Sequence, residues 1–249
     1  MKNMLAIVVG VLLVGTHGVA DAKGLASQAT GNPAAAWEGV WLGGSVGNGR
    51  VFDVHKPHSL LNAEYAAKLQ DALRGQEAGR MLYSPQLNCI PTGMPDMMYE
   101  VYALEVLPVP GKVVMITEYM NMIRHIYTDG RPLPADPERS YAGTSVGHWE
   151  GEVLVVDTIG LAEDGVIVPG MPHSDAMRIQ ERIRLVDHNT LTDDITLIDP
   201  GALTGPWTVH FTYTRAKPDR VLAEYACAAG NRYHVNTDGT VITVPWAGE

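Results

Sequence analysis

Short runs in which apolar and polar residues alternate recur from Tyr99 to the end of the chain. A period of two is typical of β-strands that bury one face. Turn-forming stretches such as Pro108-Val109-Pro110-Gly111 separate several of these runs, as they do in hairpins. The pattern therefore predicts roughly eight or more antiparallel strands. The predicted strands cover residues 101–107, 112–127, 153–158, 177–186, 191–198, 207–215, 221–227 and 240–244, after short ones near Trp41 and Val51.

One helix is predicted ahead of the strands, near residues 60–75. Tyr65, Leu69 and Leu73 recur at every fourth position, Asn62 can cap the first turn, and Gly75 suits the C-terminal stop. A long run of strands must close on itself or pair its faces, so the expected fold is mainly β, a barrel or strongly curved sandwich with one preceding α-helix. A barrel of about eight strands can hold one small ligand.

The first residues have the pattern of a signal peptide. Lys2 is followed by an apolar run over residues 4–14, and Ala20-Asp21-Ala22 has the small residues that signal peptidase requires. The apolar run is too short for a membrane-spanning helix, and no later segment has the length to span a membrane. We therefore expect residues 1–22 to be cleaved near Ala22, residues 23–36 to be a flexible mature N-terminus, residues 37–249 to form a single domain, and the protein to be periplasmic or secreted.

Charge and cysteine content narrow the possible partners. The net charge is −10 and no cluster of Lys and Arg is present, which disfavours nucleic-acid binding. The two cysteines, Cys89 and Cys227, both fall in the predicted mature chain. In an oxidising compartment they favour one disulfide, although two buried free thiols remain an alternative.

Strand alternation indicates where buried chemistry lies. In the run from Met177 to Leu185, Glu181 falls in register with the apolar positions. In the run from Val114 to Ile126, Glu118 and Arg124 fall in register with the apolar positions. Charged groups on such faces must be paired or neutralised. They indicate either a polar cluster at the base of a ligand pocket or a buried structural salt bridge, and a bulge that turns Glu181 outward is a further alternative.

A second group of polar residues lies outside the strand faces. His173 is in the loop that leads into the strand containing Glu181. A histidine with a carboxylate nearby commonly transfers protons in enzymes. Tyr127, Asp129 and Arg131 are close together in a turn-rich stretch. These residues can either contribute to a site or serve the turn, because Asp129-Gly130 is first of all a turn signal.

Other motifs in the sequence are weaker indications of a catalytic, metal or cofactor site. Ser45 and Ser145 each sit in a Gly-x-Ser-x-Gly pattern, but neither is followed by the helix that a nucleophile elbow needs. His55 and His58 are a possible metal pair without a third ligand at a telling spacing. No phosphate-binding loop or dinucleotide fingerprint is present, so we expect no cofactor and no metal.

The stretch from about Leu61 to Cys227 resembles a widespread family of exported bacterial proteins. The motifs that carry the resemblance are Cys89-x-Pro91-x-Gly93-Met94-Pro95, Arg124-x-Ile126-Tyr127-x-Asp129-Gly130-Arg131-Pro132, Ser145-Val146-Gly147-x-Trp149-Glu150-Gly151, His173-Ser174, Glu181-Arg182, Asp199-Pro200, Pro206-Trp207-Thr208 and Glu224-Tyr225-x-Cys227. The resemblance implies an antiparallel lipocalin/calycin-like β-barrel and supports a Cys89–Cys227 bridge. It implies no particular activity.

These observations lead to two main hypotheses. The first is an enzyme of the lyase, hydratase or isomerase type that acts on a small, partly apolar molecule by acid–base chemistry. Its expected catalytic residues are His173, Glu181, Tyr127 and Arg124, and its expected substrate-binding residues are Arg131, Asp129, Trp149 and Glu118. The second is a periplasmic binding or carrier protein for a hydrophobic ligand. A hydrolase using Ser145 and an interaction module with a packed interior are further alternatives. The oligomeric state is not predicted.

Overall fold

The barrel that the sequence predicts is present. The computed structural model describes residues 32–46, 60–98, 102–168, 171–227 and 233–243. From Pro33 onward the chain forms one compact unit. Its strands are β1 Gly39–Val46, β2 Leu104–Val109, β3 Lys112–Thr117, β4 Ile123–Tyr127, β5 Thr144–Glu150, β6 Val153–Ile159, β7 Val166–Val168, β8 Met171–Pro172, β9 Arg178–Asp187, β10 Thr190–Ile198, β11 Trp207–Arg215, β12 Tyr233–Val235 and β13 Val241–Thr243.

Nine strands close the barrel in the order β1-β11-β10-β9-β6-β5-β4-β3-β2. Closure pairs each of these nine strands on both sides, so the barrel itself has no open edge. One neighbouring pair, β4 and β5, is parallel, so the sheet is mixed and not wholly antiparallel as expected. The cause is the connection over residues 128–143, which returns the chain to the end of the barrel where β4 began. The pairs β7–β8 and β12–β13 form separate two-stranded sheets.

The single α-helix, α1, spans Ala63–Glu77. The predicted cap is confirmed, since the Asn62 side chain accepts a hydrogen bond from the backbone N–H of Tyr65 at 3.0 Å. Tyr65 and Leu69 are buried as the periodicity predicts. Gly75 is not the stop, however, but a buried residue inside the last turn. The helix ends at Glu77 with Ala78 as its C-cap, and Gly79 then takes the left-handed conformation with φ of 78°.

Two predicted strands are wrong in part. Residues 112–127 are split into β3 and β4 by a 3-10 turn over Tyr119–Asn121, where Met120 and Asn121 have φ of 57° and 50°. Residues 221–227 are not a strand but a loop along the barrel. The predicted last strand is present as β13, yet it pairs with β12 and not with the barrel. The strand expected near Val51 lies outside the described residues.

The segment just ahead of β1 has regular structure. Pro33–Trp37 forms a 3-10 helix in which Ala34 and Trp37 are buried, and the compact unit includes residues 33–36 ahead of the predicted domain start at residue 37. The indole N–H of Trp41 donates to the Trp37 carbonyl at 2.9 Å, and the Trp37 ring meets that of Trp149 edge to face at 5.2 Å. Trp149 therefore packs with the segment ahead of β1. The predicted signal peptide lies outside the described residues.

Cys89 and Cys227 form the predicted disulfide, with their Cα atoms 5.7 Å apart. The bridge joins the loop after α1 to the loop that follows β11. A disulfide of this kind persists in an oxidising compartment. Across the part of the chain that the structure describes, no helix combines the length and the apolar character needed to cross a membrane.

Candidate functional site

The interior of the barrel contains a buried ion pair between Arg124 on β4 and Glu181 on β9. Arg124 Nη1 donates to Glu181 Oε1 at 2.8 Å, and Arg124 Nη2 donates to Glu181 Oε2. Both side chains are fully buried. Glu181 alternates with Ile179 and Ile183, which are also fully buried, so the strand face on which the sequence places it is confirmed. Two predicted site residues are thus brought together.

The guanidinium of Arg124 spans the two strands that separate β4 from β9. Arg124 Nε donates to Ser145 Oγ on β5 at 3.1 Å, and Nη2 donates to Thr158 Oγ1 on β6 at 3.0 Å. The two hydroxyls are 2.8 Å apart and share a further hydrogen bond. Burial opposes the positive charge, but the charge and hydrogen bonds of Glu181 outweigh it, and the pKa of Arg124 is raised above its ordinary value.

Asp193 on β10 adds a second carboxyl to this site. It sits opposite Ile183 in the register, and Glu181 sits opposite Ile195, so the two acids are diagonal neighbours on one face. Asp193 is fully buried, and neither of its oxygens accepts a hydrogen bond from the described residues. Burial, followed by the negative charge of Glu181, raises the pKa of Asp193 well above its ordinary value. Its surroundings therefore favour the neutral, protonated form of the Asp193 carboxyl.

Tyr213 on β11 completes the interior cluster. Its hydroxyl donates to the Met98 carbonyl, and its ring is almost fully buried. Burial raises the pKa of Tyr213 well above its ordinary value, and the nearby Asp193 and Glu181 raise it further. The tyrosine is thus a neutral hydroxyl that donates to the Met98 carbonyl and lies near the two carboxyl groups. The cluster carries one positive and one negative charge when Asp193 is protonated.

Sequence reasoning missed Asp193 and Tyr213, although the same alternation test identifies them. Asp193 falls in register with Leu191, Ile195 and Leu197, all of which are buried. Tyr213 likewise falls in register with the buried positions of β11. The signal was present in both strands, because a polar residue between inward-facing apolar ones must itself face inward.

His173 has other partners and makes no hydrogen bond or ion pair with Glu181. Its Nδ1–H donates to the Ser174 carbonyl at 2.6 Å, and its own carbonyl accepts from the Tyr65 hydroxyl at 3.5 Å. Ser174 in turn is bound by Asp199, which accepts from the Ser174 N–H at 2.8 Å and from its hydroxyl. The hydrogen bonds of His173 and Glu181 therefore belong to two separate groups of residues.

Glu118 does not face the barrel interior with Arg124. The 3-10 turn after β3 changes the alternation, and Glu118 instead pairs with Arg220 at 2.5 Å and accepts from the Ala223 N–H at 2.9 Å. Its role in the structure is to hold the loop that follows β11. This corrects the strand face predicted for Glu118.

The turn after β4 gathers Tyr127, Asp129 and Arg131 at the surface. Arg131 pairs with Asp129 at 2.6 Å, and its backbone N–H donates to the same carboxylate at 3.2 Å. The guanidinium also lies 3.8 Å from the centre of the Tyr127 ring. The hydrogen bonds of Arg131 raise its pKa, and those same bonds lower the pKa of Asp129. These contacts stabilise the turn, and none of them reaches the interior cluster.

The hydrolase alternative has no support in the geometry of Ser145. Its hydroxyl is buried and bonded to Arg124 and Thr158, and neither group is the base that a serine nucleophile needs. The Ser45 side chain, His55 and His58 lie outside the described residues. Within the described ranges, no group of three His, Cys, Asp or Glu side chains is arranged to hold a metal ion.

Comparison of the sequence with models of known protein families finds no match, and comparison with curated proteins finds none either. The family resemblance of the motifs therefore remains a prediction.

Proposed function

We propose that the protein is an exported enzyme that performs acid–base chemistry on a small, partly apolar molecule inside the barrel. The observation that carries the proposal is the buried carboxyl pair of Asp193 and Glu181. Arg124 fixes Glu181 as its ion-pair partner, whereas neither oxygen of Asp193 has a hydrogen-bond donor among the described residues. Two carboxyl groups whose surroundings favour different protonation states are a common arrangement at sites of proton transfer. Export through a signal peptide over residues 1–22 is part of the proposal, and the disulfide supports it.

The charges indicate which reactions suit this site. Arg124 and Glu181 cancel each other, so the cluster is neutral while Asp193 holds its proton. When Asp193 donates that proton, the cluster becomes negative and stabilises a positively charged intermediate. In a double-bond isomerisation Asp193 gives a proton to one carbon of the substrate and its carboxylate then removes a different proton. No electron or proton is consumed overall, and no cofactor is needed.

Conversion of candidate substrates by isosteric variants tests the proposal. Unsaturated terpenoid and aromatic compounds are incubated with wild type, Asp193→Asn and the control Asp194→Asn, and the products are separated by chromatography and identified by NMR spectroscopy. Asp194 is the matched control because it lies on the same strand but points outward and pairs with His210 at 2.5 Å. We expect Asp193→Asn to lose about 100-fold or more in rate and the control to retain its rate. Equal rates for all three proteins would overturn the proposed role of Asp193.

One observation also favours the alternative that the protein is a carrier, which binds its ligand without converting it. Arg124 makes four hydrogen bonds, to Glu181, Ser145 and Thr158, and is left with little capacity for a reacting group. In that case Asp193 would only orient a hydrogen-bonding group of the ligand. Recovery of bound compounds with unchanged structure from wild type, judged by NMR spectroscopy because isomers have equal mass, and loss of binding in Asp193→Asn, would favour the carrier.

A further inference from the structure

Strands β2, β3 and β4 carry apolar side chains on the outside of the barrel as well as on the inside. The strand register arranges their outward side chains in three rows that run across the strands. The rows are Val109, Lys112 and Tyr127, then Leu107, Val114 and His125, then Glu105, Ile116 and Ile123. None of these side chains is buried, and Ile123 is 54% exposed. We infer that this surface, the β2–β4 face, binds a second copy of the chain.

The outer face of β9, β10 and β11 gives the comparison within the same barrel. Over residues 178–184, 190–196 and 208–214, every outward side chain on those strands is polar or charged. This is the usual composition of a sheet face that meets water. The five aliphatic side chains of the β2–β4 face depart from it, and a contiguous apolar block on a surface commonly marks a site of interaction.

Two unpaired charges at opposite ends of the β2–β4 face indicate what covers it. Lys112 lies in the first row and Glu105 in the third, about 13 Å apart along the strands. Neither has an ion-pair partner among the described residues. The charges next to this face are paired within the chain, namely Glu118 with Arg220 and Asp129 with Arg131. The face therefore carries one free charge of each sign, which a second copy of the same face can match.

A twofold axis that runs across the strands makes two such faces complementary. It lays the first row of one copy over the third row of the other, and the second row over its own counterpart. Lys112 of one copy then meets Ile116 of the other, and Glu105 is the cross-strand neighbour of Ile116, about 5 Å away. The ion pair forms twice, because a twofold interface uses the same patch on both copies. Val114 meets its counterpart at the centre, where the aliphatic side chains lose their contact with water.

Sedimentation velocity of the purified protein over a series of concentrations tests this inference. Three rows on three strands offer less than the roughly 800 Å² per partner of a standard interface, so we expect a reversible dimer with a dissociation constant on the order of 10 μM. Val114→Glu brings two carboxylates together at the centre and should weaken the dimer about tenfold or more. The control Thr192→Glu makes the same charge change on the outer face of β10 and should leave the dimer unchanged. A wild type that stays monomeric up to about 0.5 mM, or a dimer that Val114→Glu does not weaken, would overturn the inference.

Charge reversal tests the pairing of Lys112 with Glu105 between copies. Lys112→Glu makes acids face each other in the dimer and Glu105→Lys makes lysines face each other, so each variant alone should associate about tenfold more weakly than wild type. An equimolar mixture of the two variants should dimerise like wild type, because every reversed charge then faces an opposite one. An attraction within one chain could not produce this recovery. Melting temperatures equal to that of wild type show that the variants fold, and a mixture as weakly associated as the separate variants would overturn the pairing.

Discussion

Arg124 and Glu181 meet side by side inside the barrel, three strands apart in the barrel order, with Nη1 2.8 Å from Oε1. The pair joins β4 to β9 through the interior. Ser145 and Thr158, on the two strands between, hold the guanidinium in place. This arrangement makes the interior polar network specific to one strand order, because each partner comes from a different strand.

Removal of the Glu181 charge should show how much the Arg124–Glu181 ion pair contributes to the stability of the fold. Glu181→Gln leaves Arg124 buried without a counter-charge, and we expect a loss of about 3–5 kcal/mol in the free energy of unfolding. Urea denaturation monitored by tryptophan fluorescence measures it. Glu150→Gln is the control, since Glu150 pairs with Arg182 at 2.9 Å on the exposed face and should matter little. Replacing both partners, as in Arg124→Met/Glu181→Leu, should be less damaging than Glu181→Gln alone. A single variant as stable as wild type would contradict this account.

Asp193 should make the stability depend on pH. Its pKa is raised in the folded protein, whereas in the unfolded chain it is about 3.9. As the pH rises above about 4, the unfolded chain loses this proton while the folded protein keeps it, so Asp193 increasingly destabilises the fold until its folded pKa is passed. Asp193→Asn removes the effect. We expect its melting temperature to exceed that of wild type by more at pH 7 than at pH 4.5.

Differential scanning calorimetry at both pH values checks this expectation, with Asp194→Asn as the control. Asp194 is half exposed and paired with His210, so its substitution should not reproduce the gain at neutral pH. A variant Asp193→Asn that is less stable than wild type by the same amount at both pH values would mean that Asp193 is not held as a neutral acid.

Gly93 is a position where a side chain cannot be accommodated. Its φ is 79°, and a Cβ would stand 2.4 Å from the Tyr141 carbonyl oxygen, which is backbone and cannot rotate away. Gly130 has a similar φ of 83° but open space around it. We therefore expect Gly93→Ala to lower the free energy of unfolding by clearly more than the roughly 1 kcal/mol that the left-handed conformation alone costs in Gly130→Ala. Equal losses in urea denaturation would show that the loop relaxes around the new methyl group.

The disulfide should stabilise the fold strongly because it closes a long loop. Cys89 and Cys227 are separated by 138 positions, for which the chain-entropy treatment gives about 5 kcal/mol as an upper value. We expect Cys89→Ser/Cys227→Ser to lose about 2–5 kcal/mol in urea denaturation. Wild type with dithiothreitol should match the variant, and the variant itself should not respond to dithiothreitol. A variant as stable as the oxidised wild type would show that the loop after β11 needs no covalent tether.

Local patterns in the sequence were sufficient wherever a single strand or helix decided the outcome. Alternation places Glu181 and Arg124 on buried faces, and Asn62 marks the start of α1. The same alternation applied to β10 and β11 reveals Asp193 and Tyr213, which shows that the information was local there too. The strand face predicted for Glu118 was wrong because two consecutive residues in the left-handed conformation, Met120 and Asn121, interrupt the strand after it. Nothing in their side chains requires that conformation.

The sequence alone determined the class of the fold, the helix cap and, within uninterrupted strands, which residues turn inward, because these depend on neighbours a few positions away. Only the tertiary structure decided which inward charges meet. Alternation predicts which face of a strand a residue occupies, but it does not predict which other strands that face meets. The closure of the barrel brings Arg124 to Glu181 and places Asp193 diagonal to Glu181. The tertiary structure also places His173 and Glu181 in two separate hydrogen-bonded groups. Their separation of eight positions in the sequence could not predict this, because His173 lies in a loop and strand alternation does not specify where a loop side chain points.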